Sequence, residues 1–173
     1  MPDDVVLRSG LAAGVELDRP LLRRLRIELR NAEALALAGR ALRRRDLSRR
    51  RLAERLERAG VAPAAERHAL ATLADAGAVD DARLARGRAA SLAERGWGDA
   101  AIAARLTADG IRASDAHAAV ELLAPEAERA ARVVAGIREP KKAWTLLLRR
   151  GFDTETIEAV LGPLDEDAGG RLR

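Results

Sequence analysis

The chain has 173 residues, with 31 Lys and Arg against 27 Asp and Glu, no Cys, no Tyr, one Phe and two Trp. That length suits one compact domain or a short array of repeats. The lack of Cys excludes a disulfide scaffold and Cys-based zinc sites, and the two histidines, His68 and His117, lie too far apart for a paired metal site. A composition that is 48% hydrophobic, mostly Ala and Leu, and 34% charged favours helix over strand, so an all-α fold is expected. No apolar run approaches the roughly 18 residues of a membrane span. The first twenty residues carry Asp3, Asp4, Glu16 and Asp18 and no signal-peptide core, so a cytoplasmic protein without membrane contact is expected.

In chain order, residues 1–31 read as an N-terminal extension or cap. They carry Val5, Val6 and Leu7, then a helix around 19–30 with Leu21, Leu22, Leu25 and Leu29 in a stripe. Beyond them the chain repeats itself. Gly60-Val61, Gly110-Ile111 and Gly151-Phe152 stand 50 and 41 residues apart. Leu56, Leu106 and Leu147 precede each glycine by four positions; Leu70, Val120 and Leu161 follow by ten, and Leu73, Leu123 and Leu164 by thirteen. The glycine fits the left-handed position just past a helix C-terminus, and the next residue plugs the hairpin. Each hairpin has a helix before it, expected over residues 32–45, 81–95 and 126–137. The expected organisation is three three-helix repeats at 32–79, 80–125 and 126–164, about nine short helices, with a flexible tail at 165–173. Their apolar faces are narrow and Ala-rich, so burial must come from stacking into an elongated, curved array.

Charge is concentrated. Residues 19–58 hold 14 arginines and 5 acids, a net of +9, which leaves −5 for the rest of a chain whose total is +4. Arg43, Arg44, Arg45, Arg49, Arg50 and Arg51 cluster around an expected helix-helix turn. Two readings stand: a surface for a polyanion or an acidic protein face, or the solvated side of amphipathic helices. Lys141, Lys142, Arg149 and Arg150 form a second, smaller basic patch on the last repeat.

There is no Gly-rich phosphate loop, nucleophile elbow, His pair or Ser with an obvious base, so no enzyme chemistry is expected. Asp80-Asp81 is the sharpest carboxylate pair, and it reads as a cap on the helix that begins at Ala82. His68 and His117 read as surface or hairpin-packing residues. Trp97, in Arg95-Gly96-Trp97-Gly98, reads as a cover on its hairpin, with an exposed partner anchor as the other reading. Trp144, ahead of Leu146, Leu147 and Leu148, reads as core.

These residues resemble the RecX family of regulatory proteins over about 14–164. The resemblance rests on Val79-Asp80-Asp81-Ala82-Arg83-Leu84-Ala85, on Gly96-x-Gly98 followed by Ile102, Leu106 and Gly110-Ile111, and on Arg150-Gly151-Phe152 followed by Ile157 and Val160. Leu42, Arg45, Ser48 and Leu52 also fit. Arg51 departs from the pattern, standing where Glu usually completes a capping box with the Ser, and Ala41 stands where an aromatic is common.

The resemblance implies a non-enzymatic, cofactor-free regulator with no small-molecule substrate. It would bind the RecA recombinase filament on single-stranded DNA and restrain its ATPase, strand-exchange and coprotease activities in recombination, DNA repair and the SOS response. The family has no catalytic residues to carry over. The expected contacts are Arg43, Arg44, Arg45, Arg49, Arg50 and Arg55, with Lys141, Lys142, Arg149 and Arg150 second. The alternative is direct DNA binding through the 19–58 block, which weakly accompanies the first reading in any case.

Overall fold

The computed structural model describes residues 18–163, which hold nine helices and no strand. The Val5, Val6 and Leu7 segment, Leu164 and the 165–173 tail lie outside the described residues. The chain divides into two compact units, residues 1–81 and 82–173. The first contains α1 (Arg19–Leu42), α2 (Arg49–Arg58) and α3 (Pro63–Asp75). The second contains α4 (Asp81–Glu94) from its second residue onward, α5 (Asp99–Ala108), α6 (Ala113–Glu121), α7 (Glu126–Val134), α8 (Pro140–Arg149) and α9 (Thr154–Leu161).

Helix α1 starts where the Asp18 carboxylate accepts the Leu21 N–H at 2.7 Å, with Pro20 in its first turn. It then runs unbroken for 24 residues. Two helices, near 19–30 and 32–45, were expected here, and one is found; the boundary drawn between an extension and the first repeat falls inside it. No Pro or Gly interrupts residues 28–38, so nothing in the backbone forces a break, and the helix ends at Leu42 rather than 45. Its buried residues are Ala34, Ala38 and Ala41, all in its C-terminal half, which packs on α2 and α3. Leu21, Leu22, Leu25 and Leu29 are half-buried, and Ile27 is 56% exposed.

The three glycine hairpins share one geometry. Gly60, Gly110 and Gly151 take φ of 75°, 84° and 78°. The following N–H of Val61, Ile111 and Phe152 donates to the carbonyl of Leu56, Leu106 and Leu147, each at 3.1 Å. The glycine N–H donates to Glu57, Thr107 and Leu148 in turn, which completes the 6→1 and 5→2 pair of a Schellman motif. Leu56, Leu106 and Leu147 are fully enclosed, so each sits where its hairpin closes.

Three separate cores follow. Leu52 and Leu56 lead the first, Ile102, Leu106 and Ile111 the second, and Trp144, Leu147, Phe152 and Ile157 the third. Enclosing each such side chain contributes roughly 1.5–3 kcal/mol. The remaining core positions are largely Ala: Ala65 and Ala69 in the first, Ala85, Ala89, Ala116 and Ala119 in the second. Trp144 is core, as expected, and its indole N–H reaches the Gly162 carbonyl at 3.4 Å.

Candidate partner-binding surface

The turn between α1 and α2 decides where the arginines go. Leu47 is buried beneath the turn, and the enclosed Ser48 caps α2 by accepting the Arg51 N–H at 3.3 Å. Helical periodicity then turns Leu52 and Leu56 inward and leaves Arg49, Arg50, Arg51, Arg55 and Arg58 on the outer face, next to exposed Arg43, Arg44 and Arg45. Arg43, Arg44, Arg45, Arg49 and Arg55 make no ion pair among the described residues. Arg50 and Arg51 both hold Glu54, at 3.1 and 2.9 Å. Hydrogen bonds from Arg51 first and Arg50 second keep the Glu54 carboxyl below its ordinary range. Arg51, which cannot close a capping box from its position, is engaged by this acid one turn on.

In the second unit Lys141, Lys142 and Arg149 are exposed along α8, beside a shallow groove of about 340 Å³ that Thr145 and Leu146 complete. Lys142 pairs with Glu139 at 2.7 Å, and that hydrogen bond raises its pKa. Arg150 is placed differently. It is half-buried, and its guanidinium donates to the carbonyls of Arg95 at 2.6 Å and Gly96 at 3.3 Å. It fastens the end of α8 to the loop after α4 through a single nitrogen, Nη1, that serves both carbonyls. Its own carbonyl accepts the Gly98 N–H at 2.9 Å. A Cβ on Gly98 would stand 2.3 Å from the Gly151 oxygen, so only glycine lets these two backbones meet.

Sequence reading missed the polar cluster built on Arg129. This arginine is 3% exposed. It donates to the Ala124 carbonyl at 3.0 Å, to the Trp97 carbonyl at 2.9 Å and to the Asp99 carboxylate. Beside it, Glu126 accepts the Asp99 N–H at 2.6 Å and the Thr156 hydroxyl at 3.0 Å. Burial raises the Glu126 pKa, whereas the Thr156 N–H, donating at 2.5 Å, lowers that of Asp153. The available signal was Arg129 itself, which lies next to buried Ala130 on the inward face of α7.

The Asp80-Asp81 pair opens α4, which begins at Asp81 rather than Ala82. Asp81 accepts the Arg49 N–H at 2.8 Å and so serves the start of α2. Trp97 is half-buried against the second core, with the Arg105 guanidinium 3.4 Å from its ring centroid. His68 and His117 are exposed. No helix among the described residues is long and apolar enough to cross a membrane.

The fold and this surface define an all-helical protein of three-helix repeats that carries an exposed cluster of arginines on its first unit. It is similar to the regulatory protein RecX of Halorhodospira halophila, with 34% identity over 140 residues that cover 75% of this chain and 87% of the relative. The chain belongs to the RecX family of regulatory proteins. Its fold is similar to the crystal structure of RecX from Lactobacillus salivarius, with a TM-score of 0.69 and 16% identity over 76% of this chain and 94% of that one. It is also similar to a second crystal structure of regulatory protein RecX, with a TM-score of 0.79 and 19% identity over 91% and 85% of the two chains. No protein-family model matches the chain.

Proposed function

We propose that this chain is a non-enzymatic cytoplasmic regulator that binds the RecA recombinase filament on single-stranded DNA and restrains its ATPase, strand-exchange and coprotease activities. The observation that carries this reading is the exposed group Arg43, Arg44, Arg45, Arg49 and Arg55, unneutralised among the described residues, on a member of this regulatory family. A repeat protein with a cationic cluster suits a long anionic partner, because several weak contacts add along one surface. Arg43, Arg44, Arg45, Arg49, Arg50 and Arg55 are the primary contacts, with Lys141, Lys142 and Arg149 second. Arg150 ranks below these, since its Nη1 already serves the carbonyls of Arg95 and Gly96.

The test is the single-stranded-DNA-dependent ATPase of the host recombinase, with and without substoichiometric amounts of this protein, alongside binding to the same DNA alone. Inhibition at low ratios with weak binding to bare DNA supports the regulator. An unchanged ATPase with tight, salt-sensitive DNA binding replaces it with direct DNA binding through the 19–58 block.

A further inference from the structure

The second unit carries a cationic feature of its own. Between α4 and α5 is a groove of about 430 Å³ lined by Arg88, Ser91, Leu92, Arg95, Arg105, Ala108 and Asp109. Two of its three arginine side chains are held in place, and the third stands on an anchored backbone. Arg88 pairs with Asp109. The Arg105 guanidinium carbon lies over the Trp97 ring, 3.4 Å from the centroid. Arg95 is exposed, and its carbonyl is pinned by the Arg150 guanidinium at 2.6 Å. Asp109 offsets one of the three charges. Arg95 and Arg105 have no carboxylate partner among the described residues, and Ser91 adds a hydroxyl to the same wall.

The side chains of Arg88 and Arg105, paired and stacked in this way, have already lost much of their rotamer freedom, so less entropy is lost when they meet an anion. The planar fork of a guanidinium matches phosphate oxygens, and a net positive groove with one hydroxyl suits a phosphodiester better than a bare carboxylate. The 50-residue interval between Gly60 and Gly110 also pairs Arg45 with Arg95 and Arg55 with Arg105. Trp97 and Asp109, which support the site, stand where the first repeat has Leu47 and Ala59, so the supported groove belongs to the second repeat alone.

We propose that the groove between α4 and α5 is a phosphate site for a nucleic-acid backbone, with Arg95 and Arg105 gripping one strand and Arg88 and Ser91 completing the cradle. This does not depend on the recombinase reading, because it concerns binding to DNA alone.

The test measures the full chain binding to a short labelled oligothymidylate by anisotropy across a salt series. Arg95→Ala with Arg105→Ala should raise Kd about tenfold or more. It should also flatten the salt dependence by roughly 1.4 in log–log slope, from two single-strand contacts at roughly 0.7 each. Arg95→Ala alone alters an exposed side chain and should give half that change in slope, which keeps the test valid if uncovering Trp97 harms the fold. Arg105→Lys keeps the charge and should keep the slope. A methylphosphonate strand, which lacks the backbone charges, should bind the native protein and the double variant alike.

Unchanged slope and affinity in both Ala variants would overturn the proposal. So would inorganic phosphate binding as tightly as the strand, which would make this a free-phosphate site. Normal DNA binding together with lost recombinase inhibition would make it a protein contact instead, and would leave the regulatory reading intact.

Discussion

Glu126 accepts the backbone N–H of Asp99 at 2.6 Å, so the first residue of α7 caps the first residue of α5. The first unit repeats the arrangement: Asp81, which opens α4, accepts the N–H of Arg49, which opens α2, at 2.8 Å. In the last repeat α8 opens with Pro140, which has no N–H to be met. The carboxylate matters most at α5, because its N-cap is Gly98, which has no side chain to cap with. Glu126→Ala should therefore cost about 1–2 kcal/mol, and Glu126→Gln, which keeps an acceptor, clearly less. Urea unfolding with unchanged m would check both.

The same cluster sets opposing pH responses. Burial raises the folded-state pKa of Glu126 above its ordinary 4.5. In the window just above 4.5 the folded state then holds more protons than the unfolded one, so this residue's contribution to stability falls as pH rises through the folded-state value. Asp153 has a lowered pKa, so its contribution is present above 3.8 and is lost as pH falls through its folded-state value. Relative to Glu126→Gln, the native protein should lose stability as pH is raised from 4.5. Relative to Asp153→Asn, it should lose stability as pH is lowered below 3.8. Urea midpoints across this range measure both slopes.

Arg129→Met removes a buried guanidinium and strands the carbonyls of Trp97 and Ala124 and the carboxylate of Asp99. Asp99 retains 37% exposure, so water recovers part of the loss. The expected cost is about 2–3 kcal/mol, below the upper range for a fully buried ion pair. Thermal and urea unfolding of the two proteins would measure it.

Two glycines should respond oppositely to alanine. Gly87 lies inside α4 with open space around the position a Cβ would take, so Gly87→Ala should stabilise by roughly 0.5–1 kcal/mol. Gly98→Ala drives a methyl against the Gly151 carbonyl and should destabilise by at least about 2 kcal/mol. Equal effects in denaturant melts would refute the close approach.

Replacing Arg43, Arg44, Arg45, Arg49 and Arg50 with Glu should leave far-UV circular dichroism unchanged, because all five side chains are exposed. Binding to recombinase filaments and to DNA should both weaken at least tenfold. Arg150→Ala should instead lower the unfolding midpoint, since it releases the Arg95 and Gly96 carbonyls. Inhibition retained by the fivefold variant would exclude the proposed contact surface.

The repeat architecture was legible in the chain because it is local. A helix, a left-handed glycine and an apolar plug depend on a few adjacent residues, and Gly60, Gly110 and Gly151 therefore announced the hairpins and the enclosed leucines four positions before them. The arginine cluster was equally legible, since a turn capped by Ser48 leaves charged neighbours no inward route. The length of α1 was not, because residues near 31 are good helix formers whether one helix or two passes through them, and packing of the C-terminal half decides. The burial of Arg129, the inward turn of Arg150 and the stack of Arg105 on Trp97 were not legible either. These contacts join residues 5 to 55 positions apart, and whether an arginine is solvated or bonded to a carbonyl depends on which backbone the fold brings within about 3 Å of it.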